Sequence, residues 1–336
     1  MSAAANLSNP LPRPAPGART LITGLTGQDG YYLAAYLLGG GCRVLGAVLP
    51  AERPKAEALA RELGPLEIHD LNLEDPQSAE ALIAATHPDV VYHLAAQSSV
   101  GISWREPVMT AGVNAMGTLY LLEALRRHAP GAAFVMAGSC DCFDHDAAGA
   151  GGVTPETPLK ATNPYAAAKV MAQQLTQCYR AHWGLRASVA VMFNHTSPRR
   201  PEQFVERGIV RQAVRVSLGL AEAVEIGSRE TRRDWSWAPE LMEAFAALGA
   251  LEGPVDLVLA AGRTLTVDDW IHESFAQLGL DPARQVRIDP TRLHPGDRPH
   301  THGNIELARE RLGWAPQVGL AEMVRRMIEF DRHDLV

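Results

Sequence analysis

GLTGQDGYYLAAYLL, running from Gly24 to Leu38, follows the apolar run TLIT (Thr20–Thr23) and decides how the first half of the chain folds. Gly24, Gly27 and Gly30 recur at every third position between a strand-like run and a helix-like run. A loop that leaves a strand and opens a helix aims backbone N–H groups at one point, where the helix dipole favours negative charge. Glycine lets the backbone turn sharply and lets a phosphate approach it. Tyr32, Leu33, Tyr36 and Leu37 continue at helical spacing, and CRVLGAVL (Cys42–Leu49) reads as a second strand, closing a βαβ unit. In that context the loop is a dinucleotide-binding fingerprint rather than a plain turn. It assigns Gly24, Thr26, Gly27, Gln28, Asp29 and Gly30 to a cofactor.

The alternation continues downstream. Helix-like stretches at Arg53–Leu63, Pro76–Thr86, Asn114–Arg127 and Tyr165–Trp183 alternate with strand-like runs at Leu66–Leu71, Val90–Ala96, Ala132–Gly138 and Ser188–Asn194. This rhythm argues for an α/β fold: a doubly wound parallel sheet with helices on both faces and ligands at the carboxyl ends of its strands. From about Pro198 the rhythm loosens, arginines cluster and prolines recur. The expected organisation is a flexible lead-in over 1–18, a dinucleotide-binding domain over 19–197 and a smaller substrate lobe over 198–336. A part of that lobe near 255–260 is a candidate to return to the sheet.

Composition narrows the partners. The 336 residues are 46% hydrophobic and 21% charged, with a formal net charge of −7. No broad basic field is implied, so nucleic acid is not an expected partner, and an anionic ligand has to be held by local arginines. Cys42, Cys140, Cys142 and Cys178 show no disulfide or zinc spacing, which fits a reducing cytoplasm. No apolar run reaches the length of a membrane span, and the Pro-, Ala- and Ser-rich N-terminus lacks the pattern of a signal peptide. The acidic stretch DCFDHD (Asp141–Asp146) reads as a solvated loop, so no metal is expected.

Two further motifs carry chemistry. In NPYAAAK (Asn163–Lys169), Tyr165 and Lys169 lie four apart and share a helix face. An ammonium beside a phenol is expected to lower its pKa and make it a proton-transfer group. In GSCD (Gly138–Asp141), at the end of a strand, Ser139 offers a hydroxyl and Asp141 a carboxylate. Ser139, Tyr165 and Lys169 together form a set suited to oxidising a secondary alcohol with a nicotinamide, the hydride passing to the cofactor.

On these motifs, with HLAAQSSVGIS (His93–Ser103), NAMGT (Asn114–Thr118), FNHTSPRRPEQFV (Phe193–Val205) and RRDWSWA (Arg232–Ala238), the chain resembles the extended short-chain dehydrogenase/reductases. Within them it is most similar to the GDP-mannose 4,6-dehydratases. The resemblance implies a Rossmann-type fold and a nucleotide-diphosphate-sugar substrate. It also implies a cycle of oxidation at C4, loss of water across C5 and C6, and hydride return to C6. Asp141 stands where the family has a Glu as C5 base, Ser139 where it has Thr, Thr196 where it has Glu, and Gly208 where it has Lys. By resemblance, Asp70 and Leu71 flank the adenine, and Leu94, Ala95, Ala96, Ser98, Tyr165, Lys169, His195 and Arg200 contact the cofactor. Ser98, Ser139, Cys140, Asn194, Arg207 and Arg298 are expected on the substrate. Arg233 joins them because an arginine fork suits a diphosphate, whereas Arg211 and Arg215 read as a solvated helix surface. Arg53 and Lys55, just past the second strand, favour NADP over NAD. The resemblance further implies a homodimer or homotetramer built on the helices Asn114–Arg127 and Tyr165–Trp183. A nucleotide-sugar 4-reductase or epimerase uses the same Ser–Tyr–Lys set without the acid and is the alternative. A cofactor-sensing protein with an inactive site is a more distant one.

Overall fold

A computed structural model describes residues 10–292 and 300–335. The chain divides into two compact units. One holds the residues up to Met192 together with Met242–Leu259 and Asn304–Ala315; the other holds Phe193–Leu241, Ala260–Gly303 and the residues from Pro316 onward. The break thus falls after Met192 rather than after residue 197, and two later segments rejoin the first unit.

The first unit is built on a 7-stranded sheet. Its strands are β1 (Arg19–Thr23), β2 (Arg43–Val48), β3 (Leu66–Asp70), β4 (Val90–His93), β5 (Ala133–Ser139), β6 (Arg186–Met192) and β7 (Leu257–Leu259). The spatial order is β7-β6-β5-β4-β1-β2-β3, with every neighbouring pair parallel. Parallel strands covered on both faces carry near-continuous apolar runs, and all of β5, AFVMAGS, is buried. Helices α1 (Gln28–Gly39), α2 (Arg53–Leu63), α3 (Pro76–Thr86), α4 (Gly117–His128) and α5 (Pro164–Trp183) cover the sheet. The chain runs from β1 outward through β2 and β3, then returns to start β4 on the other side of β1. That reversal opens a crevice at the carboxyl ends of β1 and β4, where doubly wound sheets hold their ligands.

One boundary and one exclusion differ from the sequence reading. β4 ends at His93 instead of Ala96, because the chain leaves the sheet as a loop whose Gln97 is pinned by Asn114: Gln97 N–H donates to Asn114 Oδ1 (2.8 Å) and Asn114 Nδ2 donates to Gln97 O (2.9 Å). The helical run Pro107–His128 is long and apolar enough, by length and composition, to cross a membrane, whereas the sequence reading found no such run. Half of it is buried inside the fold, and Leu121, Leu122, Ala124 and Leu125 of α4 belong to the core.

In the second unit short strand pairs join Asn194–Thr196 to Trp235–Trp237, Arg232–Arg233 to Leu265–Thr266, and Val224–Ile226 to Val286–Ile288. Helices α6 (Val205–Ser217), α7 (Val267–Leu278) and α8 (Leu320–Leu335) pack around Trp235, Trp270, Phe275, Met323 and Met327.

Candidate active site

The three glycines of the opening loop have separable jobs. Gly24 has φ +74°, and a Cβ there would lie 2.9 Å from the backbone of Ala95, just past β4. Any side chain at Gly24 would therefore push β1 and β4 apart at the point where the strand order reverses. A Cβ at Gly30 would meet Gly24 O at 2.4 Å and Leu25 Cα at 2.6 Å, so only glycine lets α1 pack this closely on the loop. Gly27 caps α1 in extended conformation with no side chain over the helix start. This cradle, which a Cβ would fill, suits a pyrophosphate at the head of α1.

A directed chain of hydrogen bonds holds the rest of the crevice. Ala95 N–H donates to Thr23 Oγ1 (3.1 Å), and Thr23 Oγ1 lies 2.9 Å from His93 Nδ1. On the other side of the ring, His93 Nε2 lies 3.1 Å from Thr118 Oγ1, which donates to Asn114 O (2.7 Å). Thr118 spends its one proton on that carbonyl, so Nε2 carries the imidazole proton and Nδ1 accepts from Thr23. Complete burial pushes His93 down to about 3, which keeps it neutral, and the nearby Lys169 acts in the same direction. The chain ties Ala95, between Leu94 and Ala96, to the ends of β1 and β4.

The chemical group sits at the end of β5. Asn163 caps α5, its Oδ1 accepting from Ala166 N–H (2.8 Å), and Pro164 takes the first helical position, where its missing donor does no harm. That start places Tyr165 in the first turn and Lys169 one turn later, both buried. The Ser139 hydroxyl stands beside the Tyr165 phenol and works to lower its pKa, and Ser139 Oγ accepts from Asp141 N–H (3.2 Å). Asp141 lies half-buried on the single turn Cys140–Cys142 that follows β5. Buried Cys142 anchors the turn, its Sγ 3.8 Å from Ala166 O on α5. Lys169 Nζ donates to Ala137 O (3.0 Å), and burial pushes its ammonium down to about 8.

The expected lowering of Tyr165 is reversed. Burial raises its pKa well above that of an ordinary phenol, and the neighbouring Asp141 charge raises it further. Desolvation outweighs any help from Lys169, whose ammonium is committed to the Ala137 carbonyl. Both effects depend on tertiary burial, which the four-residue spacing does not report.

The cofactor-choice residues lie at the ends of β2 and β3. Arg53 Nε and Nη2 both donate to Asp70 Oδ1 (3.1 and 2.8 Å), so Asp70 faces a guanidinium, and Lys55 stands exposed on α2. Leu71 is buried, its N–H on Val48 O (2.8 Å). Sequence reading passed over Glu52, whose carboxylate accepts from Thr26 in the glycine loop (2.8 Å). Its signal was an acid about twenty residues past the last glycine.

In the second unit, Arg207 is corrected from a substrate contact to a structural clamp. It is 2% exposed, both terminal nitrogens pair with Asp331 of α8, and Nε donates to Pro198 O (3.2 Å). Arg211 is no solvated residue either, since it bridges Asp331 (2.8 Å), Asp334 (2.7 Å) and Glu202 (2.6 Å). Arg215, about a third exposed, pairs with Glu202 (3.0 Å). Arg200 stacks on Phe204, 3.6 Å from the ring centre, beside buried Glu206 at 3.4 Å. His195 is buried with Nδ1 2.7 Å from Phe193 O, and Asn194 O accepts from Ser236 Oγ (3.4 Å). A Cβ at Gly208 would lie 2.8 Å from Glu202 O, so the close loop there excludes a longer residue. Arg233 is half-exposed next to Asp234, which is fully buried and accepts from Ala261, Gly262 and Gly303 N–H (2.6, 3.0 and 3.2 Å). Ser98 of the first unit is exposed, and Arg298 lies outside the described residues.

A tyrosine and lysine one turn apart on the helix behind a strand-end serine, beside a glycine cradle at the switch of a doubly wound sheet, mark the extended short-chain dehydrogenase/reductase class. Residues 21–327 match the family model of GDP-mannose 4,6 dehydratase. GDP-mannose 4,6 dehydratase 2 of Arabidopsis thaliana is 37% identical over 328 residues, covering 93% of this chain and 86% of the relative. GDP-mannose 4,6-dehydratase of Yersinia enterocolitica is 31% identical over 355 residues, covering 93% of each. The chain belongs to the GDP-mannose 4,6-dehydratase family. Among solved structures, a UDP-glucose 4-epimerase of Thermotoga maritima with UDP-glucose superposes with a TM-score of 0.81 at 25% identity, covering 95% of this chain and 100% of the other. RMD of Pseudomonas aeruginosa, complexed with NADPH, gives 0.79 at 25% over 94% and 99% of the two chains. A Thermus thermophilus UDP-glucose 4-epimerase with NAD gives 0.79 at 26%, again over 94% and 99%.

Proposed function

We propose that the protein is a nicotinamide-dependent nucleotide-sugar 4,6-dehydratase. The observation that carries this reading is the grouping of the Ser139 and Tyr165 hydroxyls with a carboxylate, Asp141, on the turn directly after Ser139. Gly24, Gly27 and Gly30 would hold the pyrophosphate, Lys169 the nicotinamide ribose, and the bound dinucleotide supplies hydride acceptance and return. Tyr165 draws the proton from the sugar C4 hydroxyl while Ser139 orients that oxygen. Lys169, cationic below about pH 8, is held one turn along the helix from Tyr165 by the Ala137 carbonyl. Once C4 is a ketone the C5 proton is acidic, and Asp141 removes it; its conjugate acid then protonates the departing C6 hydroxyl. An aspartate reaches one methylene less far than a glutamate, and a shift of about 1 Å can lower a rate on the order of a hundredfold. GDP-mannose is the substrate the family relation favours.

Incubating the purified protein with a series of nucleotide sugars and weighing the products tests this. Loss of one water without net consumption of cofactor supports the dehydratase. Reduction or C4 inversion without loss of water supports the reductase or epimerase instead. The proposal includes a homodimer. Trp104, Val108, Met171 and Trp183, on the helices before α4 and on α5, are 59%, 85%, 44% and 52% exposed, more apolar surface than a solvated helix face carries. Light scattering giving a monomer mass at micromolar concentration would contradict it.

A further inference from the structure

This inference rests on the nicotinamide reading and concerns which dinucleotide the crevice selects. β2 ends at Val48, and the single turn Pro50–Glu52 folds back on itself, Glu52 N–H donating to Leu49 O (2.8 Å). That turn brings the Glu52 carboxylate to the glycine loop, where Oε2 accepts from the buried Thr26 hydroxyl (2.8 Å). A pyrophosphate held at the head of α1 would bring the adenosine ribose toward the end of the adjoining strand, β2. An acid about twenty residues past the glycines then accepts from the ribose 2′-hydroxyl. Glu52 occupies that position, and a carboxylate accepts at both oxygens, so the Thr26 bond does not exhaust it.

Of the cations that could have welcomed a 2′-phosphate, Arg53 is committed to a carboxylate beside the end of β2 and Lys55 is exposed on α2. Arg53 turns toward the end of β3, with two nitrogens on Asp70 and Nη1 3.5 Å from Ile68 O. Lys55 is exposed on the helix beyond. A 2′-phosphate adds close to two negative charges, and the charge it would meet at the glycine loop is that of Glu52. We propose that Glu52 selects NAD over NADP, by accepting from the ribose 2′-hydroxyl and by repelling a 2′-phosphate. This replaces the NADP preference that Arg53 and Lys55 gave in the sequence.

Direct titration of the purified protein with NAD and with NADP, by calorimetry and without sugar substrate, tests the proposal on binding alone. The wild type is expected to bind NAD about tenfold or more tightly than NADP, the effect of one charged hydrogen bond gained or one like charge opposed. Glu52→Gln keeps the size and a partner for Thr26 but loses the charge, and should narrow that ratio about tenfold, chiefly by tightening NADP. Glu52→Asp keeps the charge and should keep the preference for NAD. A wild type that binds NADP more tightly, or a ratio unmoved in Glu52→Gln, overturns the proposal while leaving the nicotinamide reading in place. The wild-type ratio needs no variant, so poor folding of either replacement does not shield the idea. A wild type that binds neither dinucleotide overturns both.

Discussion

Replacing Lys169 by methionine separates the catalytic use of a buried ammonium from its energetic burden. In the fold, desolvation brings the Lys169 pKa from 10.5 to about 8, opposed weakly by Cys142. At 1.36 kcal/mol for each tenfold change in proton affinity, the drop corresponds to about 3 kcal/mol. The unfolded chain keeps the proton to about pH 10.5 and the folded chain only to about pH 8, so between those values unfolding takes up a proton and rising pH stabilises the fold. Below about pH 8 both states are charged and the penalty is present in full and constant. Methionine has a similar shape and no charge, but it leaves Ala137 O without the Nζ donor, a loss of about 1–3 kcal/mol. At pH 7 the two effects nearly offset, so the pH dependence is the informative readout. Urea unfolding of both proteins should show the wild type gaining about 3 kcal/mol on Lys169→Met between about pH 8 and 10.5, and a constant difference between about pH 6 and 7.5. Turnover should be lost in the variant at every pH. Parallel stability curves across the whole range would refute the account of Lys169 as a desolvated charge.

Tyr165→Phe should reduce turnover by at least about a hundredfold, the scale of general acid–base catalysis, while calorimetry finds cofactor binding nearly unchanged. Arg207→Met should lower stability by about 3–5 kcal/mol, because it leaves the buried Asp331 with Arg211 alone. Replacing Arg207 and Asp331 together by apolar residues should recover much of that loss in the same urea titration.

The parts of this molecule that were legible in the sequence are those written locally. Three glycines between an apolar run and a helical pattern specify a turn, a cap and a close helix contact within a few residues. Asn163-Pro164-Tyr165 contains its own helix start, so α5 begins where the string says it does. Arg207 and Arg211 were misread because their partners lie on α8, more than a hundred residues later, and nothing in the helix spacing shows that this face is covered. Tyr165 was misjudged in direction because adjacency to lysine is visible in sequence and desolvation is not. Glu52 escaped notice because Pro50 breaks the strand pattern just before it, and only the folded turn shows its carboxylate returning to Thr26.

The central claim is that Asp141 converts an alcohol oxidation into a dehydration, and exchange at C5 tests it most directly. The wild type and Asp141→Asn, incubated in deuterated water with the nucleotide sugar that the wild type dehydrates, are followed by mass spectrometry of the sugar and by dihydronicotinamide absorbance. Asparagine keeps the size and loses the basicity. The wild type should incorporate deuterium at C5 and release a 4-keto-6-deoxy product. Asp141→Asn should carry out the first hydride transfer, accumulate reduced cofactor and leave C5 unlabelled. Release of a dehydrated, C5-labelled product by Asp141→Asn at near the wild-type rate would contradict the account and move the base to another group.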